Sequence, residues 1–264
     1  MNDINNSINF QKLWMEKLTE KQKIKRIRNA FNILKPIVKK QLVYLDNLRK
    51  NNPPNDTGFL YFEKTIENIW ENVDYILSVK NKKYRNFVFY PTRCVMESAF
   101  RLDHFIKQDK QIQEDIAITE CLRAIKRVWD MDKYKNEQKG MAESKKDYDN
   151  FINLGDKKYP EIDEIKNLNE LDLFPDIFKI LSTSKVYDIG LYYHYGFLCE
   201  LTHGKLFHTI IKNINLISEY RRSLMYLLMM SYRILEVFDV YLFGKVSNEV
   251  QIIIKKADKF IKKV

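Results

Sequence analysis

Glycine and proline are scarce in this sequence, with 7 Gly and 6 Pro among 264 residues, well under the usual combined share of about 12%. Sheet-rich folds and phosphate-cradling loops need glycine where the backbone takes φ > 0. The shortage therefore argues against a Rossmann fold, a P-loop enzyme, a barrel or a sandwich. Cysteine is sparse and odd in number: Cys94, Cys121 and Cys199 stand far apart, with no Cys-x-x-Cys pair. That excludes a zinc ribbon and a thioredoxin-type motif, and a disulfide framework does not suit a chain of this size. The start, Met1-Asn2-Asp3-Ile4, lacks the apolar run of a signal peptide. The most apolar stretch, Leu224 to Phe243, carries Arg233, Glu236 and Asp239, which a bilayer interior would tolerate poorly. The expectation is a cytoplasmic protein with no transmembrane segment, in which this stretch is a central core helix.

What is present is ordinary globular material, 45% hydrophobic and 30% charged residues. The net charge of +10 is unevenly placed. Residues 1–50 hold 12 basic and 4 acidic side chains and residues 245–264 hold 6 and 2, whereas the 194 residues between them hold 27 and 29. The densest clusters are Lys21, Lys23, Lys25, Arg26 and Arg28 at one end, and Lys255, Lys256, Lys259, Lys262 and Lys263 at the other. Such clusters suit RNA or another polyanion as partner. A solvated helix face would look the same in sequence.

Apolar residues recur at helical spacing through most of the chain. Ile24, Ile27, Phe31, Leu34, Val38, Leu42 and Leu45 predict a helix over about 8–50 with a break near Lys35-Pro36. Asn52-Pro53-Pro54-Asn55-Asp56 is a stop, and Thr57 is placed to cap a second helix reaching about Val79. Pro91 opens a third, to about Ile106, and a fourth spans about Ile112 to Tyr134. Residues 136–160 read as a mobile insertion with one helix near 141–153. A short helix over 175–181, two long ones over about 186–214 and 218–245, and an amphipathic 250–261 complete the chain. The predicted architecture is all-α, a single bundle of about eight helices. Its parts are a basic helical region over 1–52, a core bundle over 53–245 and a Lys-rich helix over 246–264.

Two constellations could carry chemistry. Tyr195, Cys199 and His203 stand at i, i+4 and i+8 and share one helix face, and imidazole is the side chain best suited to proton transfer near neutral pH. Glu200 and His203 form Glu-x-x-His, but no second such pair exists to complete a di-metal site. No metal or cofactor is therefore expected. The second constellation is Arg93, Glu97 and Arg101, a charged row at four-residue steps on an otherwise apolar helix. Charges in such a place need partners. They form either an internal ion-pair ladder or a cleft in which an arginine meets phosphate.

Arg93-x-x-x-Glu97 followed a hundred residues later by Tyr195-x-x-Leu198-Cys199-x-x-x-His203-Gly204 resembles a family of uncharacterised bacterial helical proteins. Its second motif usually reads Tyr-x-x-Leu-Ser-x-x-x-His before Gly or Pro, so Cys199 stands where serine is usual. The match spans roughly residues 60–240. Members look distantly like HEPN-type proteins of phage defence and abortive infection, which cut RNA without metal. The Arg-x(4–6)-His motif of those ribonucleases is absent, since His104 follows Arg101 by only two intervening residues. The resemblance implies an effector acting on RNA, with a site assembled from two helices. His203 would be acid and base and Arg93 or Arg101 would hold phosphate. Glu97 would orient the arginine, and Tyr195 would hydrogen-bond His203 or the phosphate, with Glu200 beside them. It leaves room for a homodimer or a partner defence protein. The alternative that the residues leave open is a non-enzymatic binding module whose polar network is structural; a peripheral membrane protein using its basic ends is a third, weaker option.

Overall fold

The computed structural model describes residues 18–51, 56–79, 87–153, 158–171, 173–183, 189–202 and 216–262. Among them the protein is all-α, with nine α-helices, one short 3-10 turn and no strand. The helices are α1 (Glu20–Asn51), α2 (Thr57–Ser78), α3 (Phe89–Phe105), α4 (Lys110–Lys135) and α5 (Gln138–Ile152). After the 3-10 turn Leu168–Leu171 come α6 (Ile177–Thr183), α7 (Ile189–Thr202), α8 (Leu216–Phe243) and α9 (Asn248–Lys262).

Helix α1 starts in a capping box: Gln22 N donates to Thr19 Oγ1 (3.3 Å) and Thr19 N donates to Gln22 Oε1 (2.8 Å). It then runs unbroken through Pro36, so the break expected there does not occur. An interior proline costs about 3 kcal/mol or more. Phe31, Leu34, Ile37 and Leu45 lie buried on both sides of it, and each contributes about 1.5–3 kcal/mol by leaving water. Tertiary burial outweighs the local penalty. The cap of α2 is Asp56, not the expected Thr57, because its carboxylate reaches Phe59 N at 3.1 Å.

Helices α1 and α8 run parallel, since Arg28 bonds Tyr220 while Gln41 Nε2 donates to Leu235 O and Asp239 Oδ1, both at 3.2 Å. At the end of α8 the chain reverses. Gly244 takes φ +73, a left-handed conformation that glycine adopts without steric cost, and Ser247 caps α9 through Val250 N (3.3 Å). Helix α9 therefore returns antiparallel along α1, pinned by the ion pair of Lys40 with Glu249.

The charges inside the apolar stretch of α8 are all employed. Arg233 Nε donates to Asp103 Oδ1 of α3 at 2.8 Å, and Asp239 accepts from Gln41 and from Ser247 N (2.8 Å). The stretch is a core helix, and none of the described helices is long and apolar enough to cross a membrane.

The main core joins α1, α2, α3, α8 and α9 with α6 and α7. A second, smaller core lies between α4, α5 and the segment after them, built on Ile118, Leu122, Trp129, Tyr148, Ile162, Ile165 and Leu171. Tyr148 is fully buried there and donates to Pro160 O at 2.9 Å. Residues 136–160 thus hold a helix docked on α4. Its entry is the left-handed Asn136 (φ 58), whose N–H bonds Lys133 O and Asp132 O.

Candidate functional site

Helices α3 and α7 pack antiparallel, so residues about a hundred positions apart meet. Arg93 Nη1 donates to Thr202 Oγ1 at 2.8 Å, and one turn along α3 Tyr195 OH donates to Glu97 Oε2 at 3.4 Å. The Arg93-Glu97-Arg101 row forms the ladder its spacing suggests, with Nη2 to carboxylate distances of 4.0 Å from Arg93 and 3.4 Å from Arg101. From Arg101 the chain of charge continues onto α4: Glu120 Oε1 lies 3.3 Å from Arg101 Nη1 and 2.6 Å from Arg123 Nη1. Arg101 also stacks its guanidinium over Phe174, 4.9 Å from the ring centroid, and Phe100 meets Tyr195 edge-on at 5.8 Å.

Three arginines thus alternate with two glutamates across α3 and α4, and α7 adds the Thr202 and Tyr195 hydroxyls. The side chains of Arg93 and Arg101 are 19% and 18% exposed, and Glu97 is 31% exposed. The ladder is therefore partly open to water on the Glu97 side, which is where a ligand could reach it.

The protonation states follow from this packing. Burial pulls the Arg93 guanidinium down, but Cys199, Tyr195 and Glu97 beside it prevail and hold it above its ordinary value. Burial pushes the Cys199 thiol up, and Arg93 and the Tyr195 hydroxyl offset that only in part. Burial and the Glu97 carboxylate push Tyr195 up as well. At neutral pH the cluster therefore presents cationic arginine, protonated thiol and protonated phenol. It offers hydrogen-bond donors and positive charge. It does not offer a thiolate nucleophile, which a lowered pKa would require.

The structure brings Arg93, Glu97, Arg101 and Tyr195 together. Glu200 is exposed on α7, and its charge acts on Cys199. His203 and Gly204 lie outside the described residues; His203 follows Thr202, the hydroxyl partner of Arg93, directly in the chain. Reading the sequence by short motifs missed Glu120, Arg123 and Thr202. The signal for the α4 pair was available: Arg123 falls in helical phase with buried Ile116, Thr119 and Leu122, where a charge needs a partner.

The other described histidines are differently placed. His194 is buried beneath the Tyr226 ring, with Nε2 3.1 Å from Ser223 Oγ. Burial and then the nearby Arg222 lower it to about 3, so it is neutral. His104 is half-buried and lowered by burial and by Lys107. Among the described residues no group of three or more His, Cys, Asp or Glu is placed to hold a metal ion.

Of the N-terminal basic cluster, Lys21 and Lys25 are exposed and Lys23 pairs with Glu20 at 3.5 Å. Arg28 is turned inward, donating to Leu77 O (2.7 Å) and Val79 O (2.8 Å) at the end of α2. Lys255, Lys256 and Lys259 are exposed on α9, and Lys263 lies outside the described residues. No family model, curated protein or solved structure matches this chain.

Proposed function

We propose that the protein is a defence- or toxin-type effector that acts on RNA, with a metal-independent ribonuclease-like site between α3 and α7. The observation that carries this reading is the contact of Arg93 with Thr202. It sets a cationic, phosphate-matching side chain against the residue that precedes His203. In the reaction His203 takes the proton of a ribose 2′-hydroxyl as that oxygen attacks the adjacent phosphorus. The bond to the 5′ oxygen breaks, and a proton returns to that leaving oxygen. Arg93 and Arg101 stabilise charge on the phosphorus oxygens. Glu97 fixes both arginines, and Tyr195 fixes Glu97. Glu200 is the acidic neighbour of His203 on α7. The resemblance to helical phage-defence proteins and the basic chain ends support the same reading.

The test is inducible expression in a bacterial host of wild type, His203→Ala and Arg93→Lys, with total RNA resolved from each. The expected result is growth arrest and RNA fragmentation in wild type and neither in the variants, whose purified proteins unfold at the wild-type temperature. Intact RNA under wild-type expression, or equal fragmentation by all three, overturns the proposal.

A second reading is favoured by the pairing of the charges, since Arg93 and Arg101 both spend N–H groups on Glu97, Glu120 and Thr202. In it the ladder holds α3, α4 and α7 in register within a non-enzymatic binding module. It predicts that Arg101→Ala lowers stability and leaves growth and RNA unchanged.

A further inference from the structure

The two basic clusters sit at opposite ends of the sequence, and the antiparallel packing of α9 on α1 puts them side by side. Exposed lysines mark the outer face of α1 at Lys21, Lys25, Lys35 and Lys39, a row about 27 Å long at 1.5 Å per residue. The row has a gap. From Asn29 to Leu34 helix α1 carries no charged residue.

The Lys40–Glu249 ion pair sets the register of α9 against α1. Counting back from it, Lys255, Lys256 and Lys259 come level with about residues 34, 33 and 30 of α1. All three are exposed, so α9 fills the lysine-free stretch of α1 from the neighbouring helix. The acidic groups on these two helices in this region are Glu20, Glu249 and Asp258. Glu20 is held by Lys23 and by Arg221 Nε (2.7 Å), Glu249 by Lys40, and Asp258 is half-buried beside Tyr232.

We infer that α1 and α9 together form one continuous cationic strip that docks the phosphodiester backbone of a nucleic acid without reading its sequence. The inference rests on the RNA half of the proposed function and not on its chemistry. Among the described side chains no aromatic is interleaved with these lysines on the exposed positions of the strip, which favours contact to phosphates over stacked bases. An anionic membrane is the poorer fit. A membrane-binding helix must offer an apolar face, and most of that of α9 is used inside the protein: Val250, Ala257 and Ile261 are buried, Ile253 and Ile254 are half-buried against the core, and Ile252 stands exposed.

The test uses the full chain and a fluorescein-labelled polyuridine of about 20 nucleotides, with anisotropy followed from about 50 to 200 mM salt. Wild type should bind with a steep salt dependence. Lys255→Gln/Lys256→Gln/Lys259→Gln should reduce the slope of log affinity against log salt by about 2, at roughly 0.7 per phosphate contact on a single strand. Lys21→Gln/Lys25→Gln/Lys35→Gln/Lys39→Gln should reduce it by about 3 on the same scale. These residues are exposed, so both variants keep the wild-type unfolding temperature.

An unchanged slope in either variant overturns the strip. So does binding to phosphatidylserine vesicles with no binding to the RNA. Unchanged slopes alongside cleavage that depends on His203 would sink the strip and leave the proposed function standing. Lysine-dependent binding without any cleavage would do the reverse.

Discussion

Replacing Asp103 by asparagine removes a buried carboxylate that ties α3 to α8. Asp103 is 1% exposed. It accepts from Arg233 Nε at 2.8 Å and from a second Arg233 nitrogen, and Lys107 Nζ donates to its other oxygen at 2.7 Å. Asparagine keeps the shape but presents an NH2 where one of these donors points, and it removes the charge. Breaking a buried pair from one side costs about 3–5 kcal/mol. Arg233 is one-fifth exposed and keeps Glu236 at 3.1 Å, so the low end, about 3 kcal/mol, applies. Urea denaturation should show the midpoint falling with an unchanged slope, and thermal unfolding should drop by about 6–12 °C at 2–4 °C per kcal/mol. Asp103→Leu combined with Arg233→Met should recover part of the loss, because no charge is then buried between α3 and α8, while Glu236 and Lys107 lose a partner but keep contact with water. A single Asp103→Asn variant within about 0.5 kcal/mol of wild type would refute the argument, since that is the scatter of ordinary surface substitutions.

Tyr148→Phe removes the hydroxyl that donates to Pro160 O inside the second core. A loss of about 1 kcal/mol is expected, with hydrogen exchange quickened in α4 and α5 and not in α1 or α8. A uniform quickening would mean the two cores unfold as one. His194 is held neutral by burial, its pKa lowered to about 3, while in the unfolded chain it titrates near about 6.5. The unfolded state then binds the extra proton, so stability falls as pH drops from about 6.5 toward about 3. His194→Gln keeps a partner for Ser223 and should flatten that part of the acid limb in denaturation curves. An acid limb as steep as in wild type would show that His194 is not its source.

The helices were legible in the sequence because their signals are local. The stripe Ile24, Ile27, Phe31, Leu34 in α1 and the glycine-poor composition both report on a few turns of chain at a time. Misreadings arose where a local rule met a tertiary one. Pro36 should stop a helix, and the buried side chains around it carry α1 through. Thr57 is a sound cap, and the neighbouring Asp56 carboxylate takes the position instead. The charged row Arg93, Glu97, Arg101 was legible too, since four-residue spacing alone aligns it.

The sequence by itself determined that the described chain is helical, where the apolar stripes lie and which charges need partners. Those properties depend on residues within one or two turns of each other. Only the tertiary structure decided which partners they found. Arg93 with Thr202, Tyr195 with Glu97, Arg101 with Glu120 and Asp103 with Arg233 are pairings across helices, set by the direction and register in which each helix packs. The same holds for the lysines of α1 and α9. Their adjacency follows from a reversal at Gly244 and one ion pair between Lys40 and Glu249, and it cannot be computed from the spacing of residues more than two hundred positions apart.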